Sequence, residues 1–221
     1  MHPIIAIDGP AGVGKSTVSR LVAQELGIPH IDTGAMYRAI GVAALGAGID
    51  TRDEARLGDL ASRVRIDFIP GATPRVLLDG DDITDRIRTP EISMAASNVS
   101  AVPAVRRVLV KLQQELGRRS GGVLEGRDIG TKVFPETPHK FFLTARPQVR
   151  AERRYQELRA KGVETDFDTV LSEAVERDRQ DSTRADSPLA FDDTYTVIDT
   201  SDIGIADVVA QIVTHVRPTL S

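Results

Sequence analysis

Two patterns alternate along the chain: short unbroken apolar runs, and stretches whose apolar residues recur every three or four positions. The first run, Ile4-Ile5-Ala6-Ile7, suits a strand buried on both faces. Val18, Leu21, Val22 and Leu26 then mark one face of a helix over 15–26. A short strand near 29–31 and a small-residue helix over about 35–45 follow. Runs at 122–125, 140–143 and 195–198 predict three further strands. Ahead of them, Val105, Val108, Leu109, Leu112 and Leu116 keep one helical face, with Gly117 as its expected stop. An arginine-rich helical stretch covers 147–160. Ile205, Val208, Val209, Ile212, Val213 and Val216 mark a last helix, stopped by Pro218. Strands alternating with helices predict an α/β fold, a parallel sheet flanked by helices.

Two segments break the pattern. Residues 50–90 are charged and carry two β-like runs, 64–69 and 75–78. Pro70-Gly71-Ala72-Thr73-Pro74 separates the runs and Asp79-Gly80 follows, which reads as a β-rich inserted lobe. Residues 161–188 are polar and lack a strong apolar stripe.

Composition narrows the classes. The chain has 221 residues, 41% of them hydrophobic, enough for a sizeable core. Net charge is −4 and aromatics are 4%, so no global basic field or stacking platform draws nucleic acid. Cysteine is absent, which excludes disulfides, thiol nucleophiles and cysteine-based zinc sites, and favours the cytoplasm. No apolar run approaches the ~18 residues of a membrane span. Before Asp8 the chain has no basic region and only four consecutive apolar residues, so no signal peptide is expected. Arginine outnumbers lysine 23 to five, and the places where arginine gathers matter more than the total.

Between the first strand and the first helix stands GPAGVGKST. Gly9, Gly14, Lys15 and Ser16 fit G-x-x-x-x-G-K-[ST], a phosphate-binding loop (P-loop). Successive backbone N–H groups cradle a polyphosphate, so Gly9, Gly12 and Gly14 must leave room or take an unusual φ. Lys15 brings charge to the β/γ-phosphates and the Ser16 hydroxyl can ligand Mg²⁺. The helix that follows turns its N-terminal N–H groups toward the anion.

Other residues discriminate among P-loop proteins. The only asparagine, Asn98, precedes Val99, and no Asp has Gly three residues on, so the guanine and γ-phosphate signatures of a switch GTPase are missing. The only Asp-Glu pair, Asp53-Glu54, lies in a polar stretch, against a motor ATPase. Val76-Leu77-Leu78-Asp79 reads as a hairpin arm, since Gly80 follows. A small-molecule kinase remains. There is no compelling catalytic base: His2, His30, His139 and His215 are scattered and none lies beside a motif. A phosphate acceptor needs none, because a monoester with second pKa near ~6 is already mostly dianionic. What it needs is converging arginine. Arg38 follows Thr33 in TGAMYR, Arg127 and Asp128 follow a strand, and Arg177, Arg179 and Arg184 lie with Asp178 and Asp181. Arg150, Arg159 and Lys161 read as a solvated helical face with i,i+4 ion pairs.

The blocks GPAGVGKST, DTGAMYR, EGRDIGT and RDRQDSTRADSPL, in this order around a β-rich insertion, resemble bacterial-type cytidylate kinase along essentially the whole chain. The resemblance implies a nucleoside-monophosphate kinase fold with a β-rich inserted lobe and a mobile lid. Its core would be 1–31, 90–160 and 189–221, its monophosphate-binding lobe 32–89 and its lid 161–188. The implied reaction is ATP-dependent phosphorylation of CMP and dCMP with Mg²⁺, by a monomer that uses neither nucleic acid nor membrane. Carried over by position, Gly9, Pro10, Ala11, Gly12, Val13, Gly14, Lys15, Ser16, Thr17 and Arg153 would bind ATP. Thr33, Arg38, Arg127 and Arg184 would hold the acceptor phosphate. Ser97, Arg106 and Asp128 would read cytosine, and Arg177 and Asp181 would contact the sugar. Arg88 joins the acceptor set. The implied catalytic residues are Lys15, Arg127, Arg177, Asp181 and Arg184. Glu125 departs from the Asp found before GRD in some members. Two other classes stay open: a kinase for another small acceptor such as shikimate, and a nucleotide-binding regulator without turnover.

Overall fold

The computed structural model describes residues 2–69, 71, 74–184 and 186–219. Pro70, Ala72 and Thr73 of the expected turn lie outside the described residues, as does Ala185 of the fourth block. The elements begin β1 (Ile4–Asp8), α1 (Lys15–Leu26), β2 (His30–Asp32), α2 (Thr33–Gly46) and α3 (Glu54–Arg63). Then come β3 (Ile66–Ile69), β4 (Arg75–Leu78), β5 (Asp81–Asp82), α4 (Pro90–Ser100) and α5 (Pro103–Ser120). The chain closes with β6 (Gly122–Gly126), β7 (His139–Thr144), α6 (Pro147–Ala160), α7 (Phe167–Thr183), β8 (Thr196–Asp199) and α8 (Ile205–Val216). Contacts divide it into two compact units, residues 1–31 with 116–221, and residues 32–115. The sequence-based division at residue 90 falls inside the second.

In the first unit five strands lie in the order β2-β6-β1-β7-β8, and β1 pairs parallel with both β6 and β7. Ile5, Ala6 and Ile7 are fully buried, as an inner strand covered on both faces requires. Val18 and Val22 of α1 share one apolar cluster with Phe141, Leu143 and Ile198 of the sheet and Val208, Ile212 and Val216 of α8. A smaller cluster of Ala151, Leu158 and Val170 joins α6 to α7, with Tyr155 and Phe167 against it.

The expected stop at Gly117 does not occur; α5 runs on to Ser120. Gly117 is there for space, since a Cβ would meet Phe134 Cζ at 2.5 Å. Helix α7 also occupies much of the segment read only as polar. Its buried stripe is short, and Asp166 caps its start by accepting from Thr169 N–H at 2.8 Å.

In the second unit, α2 packs on α4 at close range: a Cβ on Gly41 would lie 3.1 Å from that of Ala95. Strands β3, β4 and β5 form the expected antiparallel sheet, with Ile66 opposite Leu78 and Leu77 opposite Asp82. The insertion also carries α3, which the charged sequence hid. Only Leu57 and Ala61 of α3 are buried, and Asp53 caps it. Among the described residues, no helix is long and apolar enough to cross a membrane.

Candidate active site

The phosphate loop leaves the carboxyl end of β1. Gly9, Gly12 and Gly14 take φ of 146°, 79° and 90°, values that L side chains rarely adopt. Gly9 is constrained further, because a Cβ would stand 2.1 Å from the Leu143 carbonyl oxygen. Helix α1 starts at Lys15 with no side-chain cap and no acidic residue in its first turn, which suits an anion. Main-chain carbonyls of the loop accept from three side chains. Pro10 O accepts from Lys15 Nζ at 2.6 Å, Ala11 O from Arg150 Nη1 at 3.2 Å and Val13 O from Thr200 Oγ1 at 3.2 Å. Lys15 is buried, and burial together with repulsion from Arg127 lowers its pKa well below the usual lysine value. Ser16 and Thr17 are exposed.

At the end of β6, Glu125 is buried and meets Ser16, whose hydroxyl donates to Oε2 at 2.8 Å. His30 Nε2 lies 3.1 Å from the other oxygen, Oε1. A hydroxyl and a carboxylate are hard oxygen donors of the kind Mg²⁺ takes when phosphates and water complete its shell, so this pair fits the ion. His30, which sequence reasoning placed beside no motif, therefore joins the site. Its partner is 95 residues away, so no local spacing could show the pairing.

Asp181 on α7 gathers the next group. Its Oδ2 accepts from Arg127 Nε at 2.8 Å, and Arg184 Nη1 lies 3.5 Å from Oδ1. Burial works against the charged carboxylate, but Arg127, Arg184 and Arg177 prevail and hold its pKa below the usual value. Arg184 also donates to the Ser187 carbonyl at 2.8 Å. The charges of Arg127, Glu125 and Asp181 all act on Lys15. Asp128, next along from Arg127, is buried. Sequence blocks separated by more than a hundred residues thus meet in the first unit.

Two arginines of the first unit have other work. Arg153 donates to Thr200 through Nη1 at 3.1 Å and to the Thr200 carbonyl through Nη2 at 2.6 Å. Arg150 is not the solvated residue expected. It is 3% exposed, pairs with Asp178 through both terminal nitrogens at 3.0 and 2.5 Å, and reaches the loop carbonyl of Ala11. Lys161 does keep its expected surface pair, with Glu157 at 2.6 Å.

In the second unit Thr33 is buried at the start of α2, whose N-cap Asp32 accepts from Ala35 N–H at 3.0 Å. Arg38 donates to the same carboxylate at 2.6 Å. Arg106 is 2% exposed, sits 5.6 Å from the Tyr37 ring centre and donates to Ser100 O at 3.2 Å. Ser97 is half-buried on α4, one turn before that carbonyl. Arg88 lies in a short 3-10 turn and is exposed.

Known proteins can be set beside this geometry. The sequence model of the cytidylate kinase family, described as "Cytidylate kinase", matches residues 5–218. The cytidylate kinase of Syntrophotalea carbinolica is 49% identical, over 93% of this chain and 88% of its own length. That of Pelotomaculum thermopropionicum is 48% identical, over 97% and 96%. That of Shewanella denitrificans is 43% identical, over 99% and 98%. Among solved structures, an uncharacterised protein from Eubacterium ventriosum aligns over 99% of both chains with TM-score 0.56 and 14% identity. A gluconokinase from Sinorhizobium meliloti aligns over 99% of this chain and 93% of its own, with TM-score 0.50 and 15% identity. These two likenesses bear on the fold.

Proposed function

The chain belongs to the cytidylate kinase family, and on that premise we propose that it transfers the γ-phosphoryl group of ATP directly to CMP and dCMP. An oxygen of the acceptor phosphate attacks the γ-phosphorus, and the bond to the bridging oxygen breaks to release ADP. The observation that carries this reading is Asp181 holding Arg127 and Arg184 in a buried cluster whose charge reaches Lys15. No side chain is required to take a proton from a dianionic acceptor, so catalysis rests on alignment and charge neutralisation.

In the first unit, the loop residues and Arg153 serve ATP, Lys15 and Arg177 serve the moving charge, and Arg127 and Arg184 bind the acceptor phosphate. Asp181 fixes the guanidinium groups and, with Arg177, contacts the sugar, and Asp128 accepts from the cytosine amine. In the second unit, Thr33, Arg38 and Arg88 serve the acceptor phosphate, and Ser97 and Arg106 donate to the base. Ser16 and Glu125 would hold Mg²⁺, which supplies charge neutralisation at the β/γ-phosphates. Residues 161–188 act as the lid that excludes water as a competing acceptor. The setting is cytoplasmic, the working form a monomer, and the partners small nucleotides rather than nucleic acid.

The test is a panel of nucleoside monophosphates offered with ATP and Mg²⁺. CMP and dCMP are expected to turn over well, UMP less well, and AMP and GMP very poorly. Turnover of none of the five overturns the reading, as does a Lys15→Ala variant that keeps more than about a tenth of kcat, a loss under ~1.4 kcal/mol.

A further inference from the structure

Asp8 closes β1 and is fully buried, yet no step of phosphoryl transfer uses it. Its Oδ1 accepts from Ile129 N–H at 2.8 Å. Its Oδ2 accepts from Gly130 N–H at 2.9 Å and from the Tyr195 hydroxyl at 2.8 Å. The two amides open a single π-helical turn, Ile129–Val133, closed by Phe134 N–H donating to Ile129 O at 2.7 Å. That turn begins directly after Arg127 and Asp128. Turns of this kind are rare and gather at functional sites.

Tyr195 reaches this point from the residue before β8, 187 positions away from Asp8. The fit around its hydroxyl is tight: a Cβ on Gly130 would stand 2.5 Å from the phenolic oxygen. The ring is held too, with Lys140 Nζ 5.8 Å from its centre and Phe142 edge-on at 6.3 Å. A carboxylate gripped only by two successive amides can still turn with them. A third donor from a distant segment of the chain removes that freedom. The direction in which Arg127 and Asp128 leave β6 then follows from the carboxylate of Asp8.

We propose that Tyr195 is a positioning residue for acceptor recognition, acting through Asp8 on the Arg127–Asp128 loop. The proposal rests on the functional reading above, which gives Arg127 and Asp128 to the acceptor. It predicts an effect on the acceptor and not on ATP.

The test compares Tyr195→Phe, which keeps the ring, with Tyr195→Leu, which loses ring and hydroxyl. Losing one hydrogen bond to a carboxylate is expected to raise KM for CMP about tenfold in Tyr195→Phe, with KM for ATP within twofold and the melting temperature lower by only a few degrees. Tyr195→Leu is expected to show the same CMP defect and, because it also loses the ring packing, a larger drop in melting temperature. In both variants the amides of Ile129 and Gly130 are expected to exchange hydrogen faster than in the wild type. If Tyr195→Phe matches the wild type in KM for CMP and in amide exchange, and only Tyr195→Leu is impaired, the residue merely packs and the proposal falls. Wild-type activity on CMP separates this from failure of the functional reading. Amide exchange reads the positioning even in a protein that never turns CMP over.

Discussion

Ser16 donates its hydroxyl to Glu125 at 2.8 Å, which couples the phosphate loop to the end of the neighbouring strand β6. Glutamate here spans two neighbours, since its other oxygen meets His30. The longer side chain before GRD thus has a local reason.

Removing the charge while keeping the shape tests what this carboxylate does. Glu125→Gln is expected to lower kcat/KM by about 10- to 100-fold and to raise the Mg²⁺ concentration needed for half-maximal rate, the range typical for groups that tune a metal site. His30→Ala should do the same more weakly, by a few-fold. Titrating Mg²⁺ at fixed ATP for the three proteins is sufficient. Overlapping curves would mean that Glu125 has no part in holding the ion.

The Arg150–Asp178 pair ties α6 to α7 and both to the phosphate loop. Asp178→Ala leaves a buried guanidinium with carbonyl partners only. A hydrogen bond to a charged group is worth roughly 1.5–3 kcal/mol, and Asp178 is 26% exposed, so the lower half of that range is expected. For a chain of this size that lowers the melting temperature by roughly 3–8 °C. Calorimetry of the two proteins reads it, and an unchanged melting temperature would show that the pair is only a surface contact.

The inner strands of the sheet were legible in the sequence because β1, β6 and β7 are buried along almost their whole length. Ile5-Ala6-Ile7 can be little else between a polar start and a glycine loop. Helix α3 was not legible, because it buries only Leu57 and Ala61 and its remaining face is charged. Local chemistry likewise showed the glycines, Lys15 and the GRD block. It could not show His30, Arg150, Asp8 or Tyr195, whose partners stand 28 to 187 positions away. A buried arginine and a surface arginine look alike on a helix until the facing carbonyl and carboxylate are known.

Asp8 makes stability depend on pH in an unusual direction. Burial, the largest cause, together with the nearby Asp128, pushes its pKa from 3.8 up to about 6, against the pull of the Ile129 and Gly130 amides and the Tyr195 hydroxyl. Between those values the folded protein keeps a proton that the unfolded chain has released, so stability falls as pH rises. The loss is absent below about pH 4, complete above about pH 6, and on the order of 3 kcal/mol. Asp8→Asn cannot titrate. Its stability relative to wild type is therefore expected to rise by about 2 kcal/mol between pH 4.5 and pH 7, whatever its absolute value. Urea unfolding at both pH values gives the comparison. A constant difference would mean that Asp8 is ionised in the fold throughout.

The base carries the sharpest expectation. Cytosine presents an amine where uracil presents a carbonyl oxygen. Asp128, buried directly after Arg127, can accept from that amine, as carboxylates do for cytosine elsewhere. Against uracil it would face lone pairs with lone pairs. Losing a charge-assisted bond is worth roughly 1.5–3 kcal/mol, so kcat/KM for CMP should exceed that for UMP by at least about 10- to 150-fold. Asp128→Asn should narrow the gap from both sides, because an amide can donate to the uracil oxygen and accepts less strongly from the cytosine amine. Measuring kcat/KM for both acceptors with both proteins decides the matter. If the wild type treats CMP and UMP alike, or the substitution leaves their ratio unchanged, Asp128 does not read the base.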